Sequence, residues 1–189
     1  SATPTRLFGG LHGGGDDAGN FAEWAGTPEE TRSEQQYIGI SVENAEGGGC
    51  WSDGEGPRVL RAIEDISSCV HVDPTRIVVG GYSSGGELAY ELGLRHASRF
   101  SGILVENATL SRAGDPDDLI EDASWLLPIA HVAHTDDGAY PIDDVREDWE
   151  LLSSAGFPLE TLELDGDHDG RTDDWLWLLS KIGDWESPE

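Results

Sequence analysis

The chain has no methionine, only two cysteines, and a single lysine, Lys181, among its 11 basic residues. It also lacks any apolar run of about 18 residues or more, which excludes a membrane-spanning helix. The missing methionine includes position 1, so the chain reads as processed or trimmed, and no signal peptide is left to recognise. Basic residues are outnumbered by 38 acidic ones, for a net charge of −27 over 189 residues. Such a surface repels phosphate backbones and anionic lipids, so nucleic acids and acidic membranes are excluded as partners. A solvated acidic surface and adaptation to high salt both account for that charge.

The apolar content is 37%, with seven tryptophans. Chains that stay disordered are poor in aromatics, so this one folds. Its length fits one domain spanning residues 1–189, and no repeat or long linker divides it.

Short β-branched runs alternate with segments of helical period, the pattern of a parallel sheet covered by helices on both faces. Six runs read as strands: Arg6–Leu11, Tyr37–Val42, Ile77–Gly80, Gly102–Glu106, Ile129–Ala133 and Leu159–Leu164. Helices are expected around Asn20–Ala25 and Pro28–Gln36, from Pro57 to Cys69, and after Gly86. Another carries Val145, Trp149 and Leu152 and stops at Gly156; the last opens at Thr172 or Asp173 as its cap. Ligands on such sheets bind at the carboxyl ends of the strands, which is where the polar motifs fall.

Gly80-Gly81-Tyr82-Ser83-Ser84-Gly85-Gly86 contains G-x-S-x-G between a strand and a helix. Small residues on both sides let a serine sit in a tight strand-to-helix turn that presents its hydroxyl. Here the sequence resembles the α/β-hydrolase family, over essentially its whole length. In that family an acid and then a histidine follow later strands. His134-Thr135-Asp136-Asp137-Gly138-Ala139-Tyr140-Pro141 resembles the loop whose acid lies four residues before proline, which selects Asp137, with Asp136 as the fallback. Asp165-Gly166-Asp167-His168-Asp169 resembles the turn carrying the family's histidine, which selects His168.

The resemblance implies a minimal hydrolase with Ser83, Asp137 and His168 as its triad. The oxyanion donors would be the N–H groups of Ser84 and of Gly14, the latter in His12-Gly13-Gly14-Gly15, with His12 bracing that loop. Cys50-Trp51 and Asp73-Pro74-Thr75-Arg76 resemble the polyhydroxyalkanoate-depolymerase and feruloyl-esterase-like group. The first strand then corresponds to the family's third, and no substantial lid separates the fourth and fifth strands. The implied activity is metal-independent hydrolysis of short-chain or aryl esters, small or polymeric, by a monomer without cofactor. A peptidase or thioesterase on the same triad, or a non-catalytic acidic binding module of this fold, are the alternatives.

Trp51, Tyr82, Trp125 and Tyr140 are candidate substrate-wall aromatics, whereas Trp175, Trp177 and Trp185 read as core and helix-face residues. Asp165, Asp167, Asp169 and Gly170 open like a calcium loop, but Leu176 occupies its twelfth position, where a carboxylate is needed, so no metal is expected. Cys50 and Cys69 are expected to form a disulfide, with Cys50–Gly56 running back along the following helix. That bridge would place the protein in an oxidising compartment, secreted or periplasmic.

Overall fold

The computed structural model describes residues 4–26, 36–52 and 54–188. Six strands form one fully parallel sheet in the order β2-β1-β3-β4-β5-β6. They are β1 (Thr5–Leu11), β2 (Tyr37–Val42), β3 (Val72–Tyr82), β4 (Gly102–Glu106), β5 (Ile129–His134) and β6 (Leu159–Leu164). Among the described residues the α-helices are α1 (Ala18–Phe21, extended by a π turn to Gly26), α2 (Gly56–Cys69), α3 (Ser84–Arg95), α4 (Leu110–Ala113), α5 (Pro116–Asp122), α6 (Ile142–Ser154) and α7 (Thr172–Leu179).

Alternation along each central strand splits the core in two. Leu7, Leu11, Val79, Ile103, Val105 and Ile129 pack on one face against α2, α3 and α6. Phe8, Val78, Leu104, Ala130 and Val132 face the other way, against Phe21 of α1 and Trp175, Leu178 and Leu179 of α7. Both faces of a parallel sheet must be covered, which explains runs such as Ile77-Val78-Val79 with no polar residue. No helix among the described residues is long and apolar enough to cross a membrane.

Two local readings change. Strand β3 starts at Val72, five residues before the apolar run, because Val72 pairs with Thr5. A register shift between Thr5 and Leu7 then passes Pro74, while Asp73 ties down the Thr75 N–H and hydroxyl. Helix α7 is capped by the backbone of Arg171 rather than by Thr172 or Asp173, and Asp173 and Asp174 occupy its first turn. The segment expected to be helical at 28–36 lies outside the described residues except for Gln36, whose φ is +52°. Gly156 ends α6 with φ +93°, as a left-handed terminator must.

Candidate active site

Ser83 sits between β3 and α3 with φ +55° and ψ −125°, a conformation that costs a non-glycine residue about 1–3 kcal/mol. Its surroundings enforce it. The Ser83 N–H donates to the Glu106 carbonyl (3.0 Å), and the Ser83 carbonyl accepts from Gly86 and Glu87 (2.8 and 3.1 Å). The flanking glycines are required by space. A Cβ on Gly81 would strike the Gly85 backbone and approach Gly86 N to 2.7 Å. One on Gly85 would strike the carbonyls of Leu11 and His12. The elbow can form only where helix and strand backbones touch this closely.

Asp137 and His168 follow β5 and β6, the next two strands in the sheet after β4. Asp137 is buried, and its Oδ1 accepts from the Ala139 and Tyr140 N–H groups (2.7 and 2.9 Å). Its Oδ2 lies 2.7 Å from His168 Nδ1, and His168 Nε2 lies 2.9 Å from Ser83 Oγ. With Nδ1–H donating to the carboxylate, Nε2 keeps a lone pair facing the serine hydroxyl. Asp136, the fallback acid, instead uses its N–H on the Gly166 carbonyl.

The loop after β1 closes over the elbow. His12 is fully buried, with Nδ1 2.8 Å from the Gly13 carbonyl and Nε2 3.2 Å from Glu43. A Cβ on Gly13 would lie 3.3 Å from Ser83 Cβ, and one on Gly14 would lie 2.5 Å from Cys50 Sγ. Gly13 is thus the loop residue against the serine, while Gly14 packs on the Cys50 loop. As the first residue of α3, Ser84 has an N–H with no acceptor inside the helix.

Three of the four expected wall aromatics are at this site. The Trp51 indole donates to the His12 carbonyl (2.8 Å). The Tyr82 ring stacks on the His168 imidazole, centroids 5.2 Å apart, and the Tyr140 ring leans on it at 5.3 Å. Burial, reinforced by nearby carboxylates, holds both phenols protonated well above their usual range. Trp125 is elsewhere: its indole donates to the Ala97 carbonyl, beyond the far end of α3. Twelve residues of helix, about 18 Å, separate that point from Ser84, so Trp125 is a packing residue. Trp175 is fully buried, as read from sequence.

A cavity of about 60 Å³ opens beside Ser84, with Trp51, Glu87, Glu91 and Arg112 among its walls. Arg112 lies over the Tyr140 ring, 4.6 Å from its centroid. The chain between β4 and β5 forms only α4 and α5, so little covers the site.

The cysteines do not pair. Both are free and exposed. Cys50 is held beside Gly14 by the Trp51–His12 bond and by Ser52–Glu55 contacts, whereas Cys69 is the last residue of α2. Cys50 and Trp51 lie against the loop after β1 instead of running back along the helix, which removes the bridge and the support it lent to an oxidising compartment.

Sequence reasoning missed Glu87, Glu106, Asn107 and the inward role of His134. The one signal for Glu106, Asn107 and His134 was their position at strand carboxyl ends; Glu87, in the first turn of α3, carried none.

Neither a protein-family profile nor a curated protein matches the sequence. Solved structures do match. Staphylococcus aureus FphF, a fluorophosphonate-binding serine hydrolase, superposes with a TM-score of 0.74 at 14% identity, covering 97% of this chain and 86% of its own. Esterase PE8 gives 0.75 at 14% identity, with coverage of 94% and 91%. Arabidopsis thaliana SOBER1 gives 0.67 at 15% identity, with coverage of 94% and 97%. The chain has the α/β-hydrolase fold, in a minimal six-stranded form.

Proposed function

We propose that this protein is a serine carboxylic-ester hydrolase that works through an acyl-enzyme. The observation carrying this reading is the continuous chain from Ser83 Oγ through His168 to Asp137, at 2.9 and 2.7 Å, on a strained elbow. His168 takes the serine proton as Oγ attacks the ester carbonyl, then returns it to the leaving alkoxide. Oγ adds to the carbonyl to give a tetrahedral oxyanion, which collapses as the C–O bond to the alcohol breaks; water then repeats addition and collapse on the acyl-enzyme and frees the acid. Asp137 fixes the imidazole tautomer and balances its transient charge. The N–H of Ser84 and an N–H from the Gly13-Gly14 turn stabilise the oxyanion.

The small, partly polar cavity beside Ser84 and the short α4–α5 connection favour short acyl groups. The likeness of Cys50-Trp51 and Asp73-Pro74-Thr75-Arg76 to the polyhydroxyalkanoate-depolymerase and feruloyl-esterase-like group makes aryl and hydroxyacyl esters the first to try. FphF and esterase PE8 are similar in fold and are described as a serine hydrolase and an esterase.

The test is a p-nitrophenyl ester series from acetate to dodecanoate, with feruloyl, thioester and peptide substrates, on the parent chain and Ser83→Ala. Acetate and butyrate should lead, and Ser83→Ala should lower kcat by about 10³-fold or more. Activity retained in Ser83→Ala would overturn the mechanism; a thioester or peptide outrunning every ester would overturn the substrate class.

A further inference from the structure

The turn that carries His168 is held carbonyl by carbonyl. Arg171 Nη1 donates to the Asp165 carbonyl (3.2 Å), Asp136 N–H to Gly166 (2.7 Å), and Asp169 N–H to Asp167 (2.9 Å). Among the described residues, the last two carbonyls, of His168 and Asp169, are reached by side chains at the ends of β3 and β4. Tyr82 O–H donates to His168 (2.7 Å), and Asn107 Nδ2 donates to Asp169 (3.2 Å).

Asn107 is itself locked. It is 1% exposed and has φ +49°. Its Oδ1 accepts from the His134 N–H (3.2 Å), and Nδ2 lies 2.9 Å from His134 Nδ1. His134 Nε2 in turn lies 3.0 Å from Asp174 Oδ2, and both residues are buried. With Nε2–H donating to Asp174, Nδ1 is left to accept from Asn107. Nδ1 also lies 3.0 Å from the Asp167 carbonyl, which already accepts from Asp169. Both hydrogens of the Asn107 amide are then used, one on His134 and one on the histidine turn. Next to Asn107, Glu106 accepts from the Arg171 N–H and the Trp175 indole, anchoring the chain just past that turn.

We infer that Asn107, oriented by His134, and Tyr82 are positioning residues that set where the His168 imidazole stands relative to Ser83. This rests on the triad reading above. Neither residue touches the reacting atoms through its hydrogen-bonding group, so each acts through the backbone of His168 or its neighbour. A displacement of the base by about 1 Å can cost about 100-fold in rate.

The experiment compares Tyr82→Phe, which deletes one oxygen, and Asn107→Gly, which tolerates the positive φ, in the parent chain and in His168→Ala. With p-nitrophenyl acetate, each variant should lower kcat by about 10- to 100-fold with KM within about twofold. In His168→Ala, neither should lower the residual rate further, because there is no imidazole left to place. Asn107→Asp keeps the acceptor for His134 but loses the donor, and should behave like Asn107→Gly. If Asn107→Gly does not fold, Tyr82→Phe decides alone. A kcat within twofold of the parent, or an equal loss in both backgrounds, overturns the inference. Ser83→Ala run alongside separates the two claims: if it abolishes activity while the positioning variants are silent, only this inference fails; if it stays active, the triad reading fails and this inference with it.

Discussion

The Tyr140 hydroxyl donates a 2.6 Å hydrogen bond to Glu87 Oε1 at the rim of the cavity beside Ser84. On the proposed reading the acyl group occupies this cavity, where Glu87 and Glu91 outnumber the one cation, Arg112, in a chain already at −27. Unit charges 4 Å apart interact by about 1 kcal/mol in water and more near a protein surface. Monoanionic succinyl esters should therefore react several-fold more slowly than butyryl esters. Glu87→Gln should narrow that gap, and about 1 M salt, with a screening length near 3 Å, should narrow it in the parent. An unchanged succinyl-to-butyryl ratio of kcat/KM in the variant would remove Glu87 from acyl selection.

His131 gives the fold a weakness to acid. It is fully buried, and burial pushes its imidazole down to about 3. Nδ1 lies 2.9 Å from the Tyr90 hydroxyl and 2.8 Å from the Trp149 indole nitrogen, which donates to it. Unfolded histidine titrates near about 6.5, so below that pH the unfolded chain binds a proton that the native chain refuses. The contribution is complete above about pH 6.5 and is lost as pH falls toward 3, by about 1.4 kcal/mol per unit. His131→Gln keeps an acceptor without the titration. The difference in unfolding free energy between parent and variant, from urea melts, should fall at that slope between pH 6 and 4. A constant difference would contradict the assignment.

Free cysteines make a chemical handle. Native, unreduced protein should alkylate at two thiols per chain, since both are exposed. Cys50 packs at Gly14 beside the elbow, so a bulky maleimide there should slow ester hydrolysis, and Cys50→Ser should protect against it. Cys69 lies at the end of α2, and its modification should leave the rate unchanged. No free thiol on mass analysis, with both cysteines alkylating only after reduction, would restore the disulfide.

The strand order of the polar motifs makes most of the candidate site legible in the sequence. Gly81, Ser83 and Gly85 are spaced by the demands of two touching backbones, and that demand is written in residue size. Asp137 was legible because Pro141 opens α6 at a fixed distance from it. What was hidden depends on contacts between distant segments. Trp125 comes just before β5, at the amino edge of the sheet rather than the carboxyl edge, and packing sends it to Ala97. Asn107 and Glu106 look like ordinary strand-end polar residues until β6 brings the histidine turn onto them. The cysteine pairing failed for the same reason: the Cys50 loop had room to reach back, but the Trp51–His12 bond holds it forward.

The central claim is that Ser83 is the activated nucleophile. Incubation with a fluorophosphonate, followed by intact mass and peptide mapping, tests it most directly. The account predicts one adduct per chain, on Ser83, formed in the parent, slowed by about 10³-fold or more in His168→Ala, and absent from Ser83→Ala. An adduct on Ser84, labelling that survives Ser83→Ala, or a parent chain that never reacts would contradict it.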